Sequence, residues 1–474
     1  MQPSTQDAGR VAARVAARLD RLPVTRWHRK ITFLVGVGTF FDMYEVFLGG
    51  VLAAVVAQQW HLTGTEKSAV VGAAFLGMFL GSNVLGILAD RLGRRTMFLV
   101  NLGAYGLASL LTAASPNLAW LLVLRFITGL GVGAELTLVD TYLAEFLPRT
   151  VRGRYIAWAY TLGSLAVPIV AFVAAKTVAG HTVFGLAGWR MLLILGAVGS
   201  IVIWLARQQL PESPRWLAVQ HRPADAEQVV ARVESIVAHQ SGAALPPVPA
   251  TDMAAVHRVS LGGMFRGELR NRTIMWWIFQ VLQTVAYYGF GALAPIVLTA
   301  KGFDITSSLG YAAASFLGYP VGSALSIPLV DRFERKRLII ISALGIALFG
   351  LLFGMATSSA LIVTAGFLLT VCSNVFSNSF HIYQTEIFPT SLRSSAIGIA
   401  YSLSRLTSAV LPFVAITVLD HLGATAVFLG SAVLIGVLCL DVGLLGPRTT
   451  GRTLEIVAER GPSDTENVPA AETA

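Results

Sequence analysis

Charge is scarce in this chain. Asp, Glu, Lys and Arg make up 13 % of 474 residues, against about 25 % in a soluble domain. That excludes a soluble globular protein and fits one that turns its surface to lipid, since 55 % of the residues are hydrophobic and the mean hydropathy is +0.67. Cysteine is scarcer still. Cys372 and Cys439, the only two, both sit inside apolar runs, so neither a disulfide framework nor a thiolate metal site is available and both read as packing residues. No nucleophile and base pair, metal-ligand cluster or phosphate-binding loop lies outside the apolar runs, which removes the enzyme classes and any cofactor or metal. The first apolar run follows about thirty polar, arginine-rich residues and has no small-residue cleavage site after it, so it is not a signal peptide.

What the chain has instead is about twelve apolar runs of roughly 18 to 25 residues, each enough to cross a ~30 Å hydrocarbon core. They come in two sets. FLGMFLGSNVLGILADRLGRR (75–95) returns as FLGYPVGSALSIPLVDRFERK (316–336), with Asp90 and Asp331 separated by 331 − 90 = 241 residues. YLAEFLPRTVRGR (142–154) returns as YQTEIFPTSLRSS (383–395) at the same offset, matching Glu145 to Glu386 and Arg152 to Arg393. A duplicated unit of six spans follows. The expected fold is an all-α membrane protein of twelve transmembrane helices in two pseudo-symmetric six-helix bundles. Its predicted parts are a cytoplasmic basic amphipathic arm (1–30), bundles at 31–207 and 273–446, a cytoplasmic linker at 208–272 and a cytoplasmic tail at 447–474. The formal charge of +9 does not indicate nucleic acid, because the basic residues gather in the even-numbered loops. By the positive-inside rule those loops and both termini are cytoplasmic.

In the arm, Val11, Val15, Leu19 and Leu22 share one helical face with Arg14, Arg18 and Arg21 beside it, a pattern that suits the inner membrane surface or a solvated arm. The first span places Asp42 and Glu45 one turn apart, Asp42 roughly 16 Å from the inner boundary. An acid at that depth costs several kcal/mol unless paired or wet, so a functional role is the default. The fourth span carries Arg125 near the level of Asp42, so the two can pair, and Glu135 is a second candidate proton carrier. In the seventh span Gln280, Gln283, Tyr287 and Tyr288 form a stripe able to line a cavity or to cross-link helices. Asn374, Asn378 and His381 form one polar face of the tenth span, open to the same two readings. The eleventh span buries Arg405 at the depth of Asp42, where a lone guanidinium needs an anion from the protein or from a substrate. The loop GILADRLGRR and its repeat mark a conformational latch built from Gly86, Asp90, Arg91, Gly93, Arg94, Arg95, Glu145, Arg152, Asp331, Arg332, Glu386 and Arg393.

Over about residues 26–455 these segments resemble the major facilitator superfamily. GILADRLGRR is similar to its signature between the second and third helices, and LRFITGLGVG to its fourth-helix signature. PESPRWL (211–217) and GRTLE (451–455) resemble sugar porters, but the seventh-helix QQ-x-x-G-x-N pattern of that group is absent. GVGAELTLVDTYLAEFLP, the YYGF of the seventh span and SRLTSAVLP resemble the branch holding the organic ion transporters, the synaptic vesicle glycoproteins and the bacterial nicotinate permeases. DMYE is similar to the D-x-Y/F-D of aromatic acid:proton symporters. The resemblance implies a monomeric alternating-access carrier of a bacterial inner membrane, moving a small organic anion with protons. An arginine at the position of Arg405 goes with anionic substrates in that branch. The expectation is a proton-coupled importer of a small aromatic carboxylate, nicotinate first. Arg405 would hold the carboxylate, Tyr287, Tyr288 and Phe380 the ring, and Asp42, Glu45, Arg125 and Glu135 would couple the proton. The alternatives are a sugar:proton symporter, an exporter of drugs or organic acids, and a transport-inactive sensor.

Overall fold

The computed structural model describes residues 5–148, 150–177, 182–183, 185–248, 264–265, 267–388 and 393–449. The side chains of Gly86, Asp90, Asp331 and Arg393 and the GRTLE segment lie outside the described residues. Almost everything described is helical. The first bundle contains α2 (Arg26–Trp60), α3 (Gly64–Leu92), α4 (Arg94–Ala113), α5 (Leu118–Phe146), α6 (Arg152–Ser164) with α7 (Ala166–Thr177), and α8 (Gly188–Arg207). A two-residue antiparallel pair, β1 (Thr182–Val183) and β2 (Leu186–Ala187), precedes α8. After it come α9 (Pro214–Val219) and α10 (Pro223–Ser241). The second bundle opens with α11 (Gly267–Thr284), a π-helical turn (Val285–Gly289) and α12 (Phe290–Ala300). It continues through α13 (Ile305–Phe316) with α14 (Gly318–Arg332), α15 (Arg335–Met355), α16 (Ser359–Ile387) and α17 (Arg393–Leu445). Within α17 the backbone turns at Gly423 with φ +82°, a conformation other residues resist. The element is therefore two spans, and among the described residues the spans number twelve.

The 241-residue offset recurs in the contacts. Helices start on caps at Thr63 and Asp304, and at Asn117 and Ser358, each side chain accepting a backbone N–H of the first turn. A β-carbon at Gly77 or Gly81 would collide with the carbonyl of Phe126 or Leu130, and one at Gly318 or Gly322 with that of Phe367 or Val371. Both bundles thus use the same backbone approach, α3 on α5 and α14 on α16, because lipid supplies no hydrophobic drive and close packing must replace it. The halves meet where α2 touches α12, α3 touches α17, and α6 and α7 touch α14 and α13.

The arm differs from both of its predicted readings. The apolar face of α1 (Thr5–Asp20) is covered by the linker: Val15, Leu19 and Leu22 are buried with Ala226, Val230, Val233 and Val237 of α10. Arg18 donates to Glu227 and Glu234, and Arg21 Nη2 reaches Glu234 Oε1 at 2.5 Å. Burial alone would push the Glu234 carboxyl up, but the hydrogen bonds from Arg18 and Arg21 outweigh it and hold the carboxyl below the usual glutamate range.

Candidate functional site

Arg405 projects from the first half of α17 and is fully buried. Its guanidinium lies over the rings of Tyr401 at 4.5 Å and Tyr288 at 4.9 Å, and Nη2 donates to the Tyr401 hydroxyl. Nε and Nη1 have no hydrogen-bond partner, and among the described residues no carboxylate pairs with this arginine. The aromatic faces attract the cation but do not neutralise it. Tyr288 stands in the π-helical turn, beside Tyr287. From the other half Phe75 meets Tyr288 edge-on at 5.5 Å. His381 stacks on Tyr160 of α6 at 6.0 Å, and Tyr160 adjoins Asp140. The two halves therefore close beneath Arg405 as well as above it, where Ser68 Oγ donates to the Pro412 carbonyl at 3.2 Å.

The rest of the predicted stripe divides. Tyr287 borders the same centre, 4.9 Å from the Tyr288 ring and 6.1 Å from Tyr319. Gln283 Nε2 donates to Gln280 Oε1 at 3.1 Å, and the remaining amide atoms, Gln280 Nε2 and Gln283 Oε1, are buried without partners. Asn374 Nδ2 donates to the Tyr319 carbonyl and Asn378 Nδ2 to Ser326 Oγ at 2.6 Å, so both amides tie α16 to α14. Phe380 lies inside the second bundle against Phe279 and Trp276. A small cavity of about 40 Å³, lined by Val285, Gly289, Phe290, Leu411, Phe428 and Ile435, has no charged residue in its lining.

The buried acids of the first bundle form two groups, and Asp42 is not brought to Arg125. Arg125 Nη1 pairs with Glu45 Oε2 at 3.0 Å while Nη2 donates to the Glu45 carbonyl at 3.1 Å, and Ser109 Oγ donates to Glu45 Oε1 at 2.5 Å. One turn inward, Glu135 pairs with Arg207. Asp42 faces this pair and Tyr105, and neither of its oxygens accepts a hydrogen bond of normal geometry. Arg207, Tyr105, Ser109, Tyr160 and Tyr401 were not singled out from sequence. Tyr401 was within reach, one helical turn before Arg405. Arg207 was taken as the last residue before a cytoplasmic linker, yet it extends back past Gly38, whose missing side chain leaves room for the guanidinium.

At the latch, the ion pairs Arg94 to Glu145 (3.8 Å) and Arg335 to Glu386 (3.3 Å) stand one repeat apart and hold helix ends within each bundle. Arg95 donates its backbone N–H to Glu212 Oε1 at 3.0 Å and Nη2 to the Gln208 carbonyl at 2.8 Å. Arg152 reaches Asp20 at 3.3 Å. Gly93 has φ +105° at the α3 to α4 junction, and Arg91 and Arg332 are exposed.

Twelve apolar spans in two related bundles, with charged side chains buried between them, define a multi-pass membrane carrier rather than an enzyme. The chain belongs to the major facilitator superfamily, and within it to the family described as Sugar (and other) transporter, whose model matches residues 32–460. It is 32 % identical over 452 residues to YyaJ of Bacillus subtilis, a protein named for metabolite transport, covering 93 % of this chain and 96 % of that one. It is 28 % identical over 444 residues to the niacin transporter NiaP of Acinetobacter baylyi, covering 94 % and 99 %. The xylose transporter XylE from E. coli, in a partially occluded inward-open conformation, superposes with a TM-score of 0.73 at 19 % identity, covering 90 % of this chain and 100 % of that one.

Proposed function

We propose that the protein is a proton-coupled importer of a small aromatic carboxylate, nicotinate being the leading candidate, and that it acts as a monomer in a bacterial inner membrane. The observation that carries this reading is the buried, unneutralised guanidinium of Arg405. A lone charge at that depth is costly. A substrate carboxylate meeting two of its N–H groups removes the cost and orients the ligand. Tyr288 and Tyr401 lie under the guanidinium, with Tyr287 against Tyr288, and offer rings on which a flat acid stacks. The buried acids Asp42, Glu45 and Glu135, with Arg125 beside Glu45, are the candidates for carrying the proton. The similarity to a niacin transporter supports the same substrate class.

A sugar:proton symporter is the second reading, favoured by the unsatisfied amide atoms of Gln280 and Gln283, which suit hydroxyl groups. Uptake of labelled nicotinate into proteoliposomes, with and without a protonophore and against benzoate, nicotinamide and glucose, separates the two. Benzoate competes and nicotinamide does not if a carboxylate is what Arg405 holds. Arg405→Ala abolishes uptake, and Arg405→Lys retains a weak remnant, since an ammonium keeps the charge without the two-pronged geometry. Wild-type uptake in Arg405→Ala, or competition by glucose alone, overturns the carboxylate reading.

A further inference from the structure

Asp42, Glu135 and Arg207 come from three different helices, α2, α5 and α8, and all three side chains are fully buried. Arg207 pairs with Glu135 and lies against Gly38, one helical turn before Asp42 on α2, so two carboxylates flank one guanidinium. If both are ionised the cluster carries a net charge of −1, and if one is protonated it is neutral. By contrast Glu45 and Arg125 neutralise each other one for one, and Ser109 occupies a further acceptor of Glu45. Arg207 commits the rest of its donors to fixed backbone, with Nη2 donating to the Val35 carbonyl at 3.1 Å and the guanidinium lying over the Phe98 ring at 4.6 Å. It therefore serves Glu135 and leaves Asp42 without an ion-paired partner, with the Tyr105 hydroxyl beside it. Among the described residues the charged or titratable groups around Asp42 are Glu135, Arg207, Tyr105 and Glu45, of which Arg207 is the cation.

We infer that Asp42 and Glu135 share a single exchangeable proton over Arg207, and that this trio, rather than the Glu45 to Arg125 pair, is the proton-coupling site. The inference rests on the proton-coupled reading above and makes it specific: one site, one proton, with Arg207 as its positioning residue. The proton belongs to the pair of carboxylates rather than to either one. It enters from outside water, taking the trio from −1 to neutral, and leaves to the inside, restoring −1. An unbalanced buried charge resists a closed, dry state, so the neutral trio is the form that permits closure. The trio also has a mechanical outlet. Arg207 is the last residue of α8, and the next five residues supply both Gln208 and Glu212, the acceptors of Arg95 at the α3 to α4 junction. Protonation and the cytoplasmic latch thus share one short segment.

The test reads the proton directly, without a substrate. Infrared difference spectra of the purified full-length protein between mildly acidic and alkaline buffer report the C=O stretch of protonated carboxyls. In the wild type one component of this band belongs to the trio, beside those of other carboxyls with buried oxygens such as Asp140 and Asp441. Asp42→Asn and Glu135→Gln each remove that component, because the remaining carboxylate is balanced by Arg207, whereas Glu45→Gln leaves it in place. Arg207→Gln, with two acids and no cation, raises the component about twofold. A band undiminished in both Asp42→Asn and Glu135→Gln, or one that loses this component in Glu45→Gln, overturns the assignment. Failure of nicotinate uptake would sink the substrate reading and leave this spectrum standing, so the two failures are distinguishable.

Discussion

Depth decided the meaning of single residues, and depth was legible in the sequence. Arg405 and Asp42 each lie too far inside an apolar run to reach water, and both are buried without a neutralising hydrogen-bonded partner. Depth did not supply pairing. Asp42 and Glu45 share a helix face but stand about 4.5 Å apart along the axis, so Glu45 rather than Asp42 meets Arg125. A depth counted from the ends of an apolar run does not resolve one helical turn. Asn374 and Asn378 show the same limit, since a polar stripe gives no hint whether its partner is a substrate or the next helix. Here α14 takes both amides. The pairing carries its own consequence. Arg125→Ala strands the Glu45 carboxylate in the interior, and removing one partner of a buried pair costs about 3–5 kcal/mol. Thermal unfolding of the detergent-solubilised protein registers the loss, and Glu45→Gln with Arg125→Leu recovers much of it. An unchanged midpoint in Arg125→Ala would show that water reaches this pair.

At the scale of elements, span lengths and repeat boundaries followed directly from the apolar runs and the 241-residue offset. The destination of α1 did not. An amphipathic helix advertises an apolar face, and nothing in its own sequence distinguishes a lipid surface from a protein groove. The cover comes from α10, more than two hundred residues away, through Arg18 and Arg21 on Glu227 and Glu234. Because the Glu234 carboxyl is held below its usual range, the contribution of this clasp is complete above the unfolded glutamate pKa of about 4.3 and is lost only as the pH falls through the lower folded value. A nitroxide attached through Arg14→Cys on α1 should therefore keep the same mobility from neutral pH down to about pH 5 and loosen in stronger acid. Glu234→Ala combined with Glu227→Ala should loosen it at neutral pH. Equal mobility in wild type and double variant would mean that the apolar face of α1 holds the helix in place without the ion pairs.

For the whole molecule, the repeat implies two bodies that must rock against each other around Arg405, and the contacts between them identify what has to break. Above the arginine Ser68 meets the Pro412 carbonyl. Below it the Thr161 and Ser323 hydroxyls lie 2.9 Å apart, joining α6 of one bundle to α14 of the other. Alternating access requires the lower contact to open for release toward the cytoplasm, while nothing inside either bundle needs to change. Thr161→Cys with Ser323→Cys, in a background with Cys372 and Cys439 replaced by serine, places two thiols where the hydroxyls meet. Oxidation should stop uptake nearly completely and a reducing agent should restore it, whereas each single cysteine variant should transport under both conditions. The infrared band of the Asp42, Glu135 and Arg207 trio provides the complementary reading. If closure requires the neutral trio, the oxidised, inwardly closed protein holds its proton to more alkaline pH than the reduced one. Undiminished uptake by the oxidised pair would instead mean that the substrate leaves without the bundles separating at α6 and α14, and the path from Arg405 to the cytoplasm would have to run elsewhere.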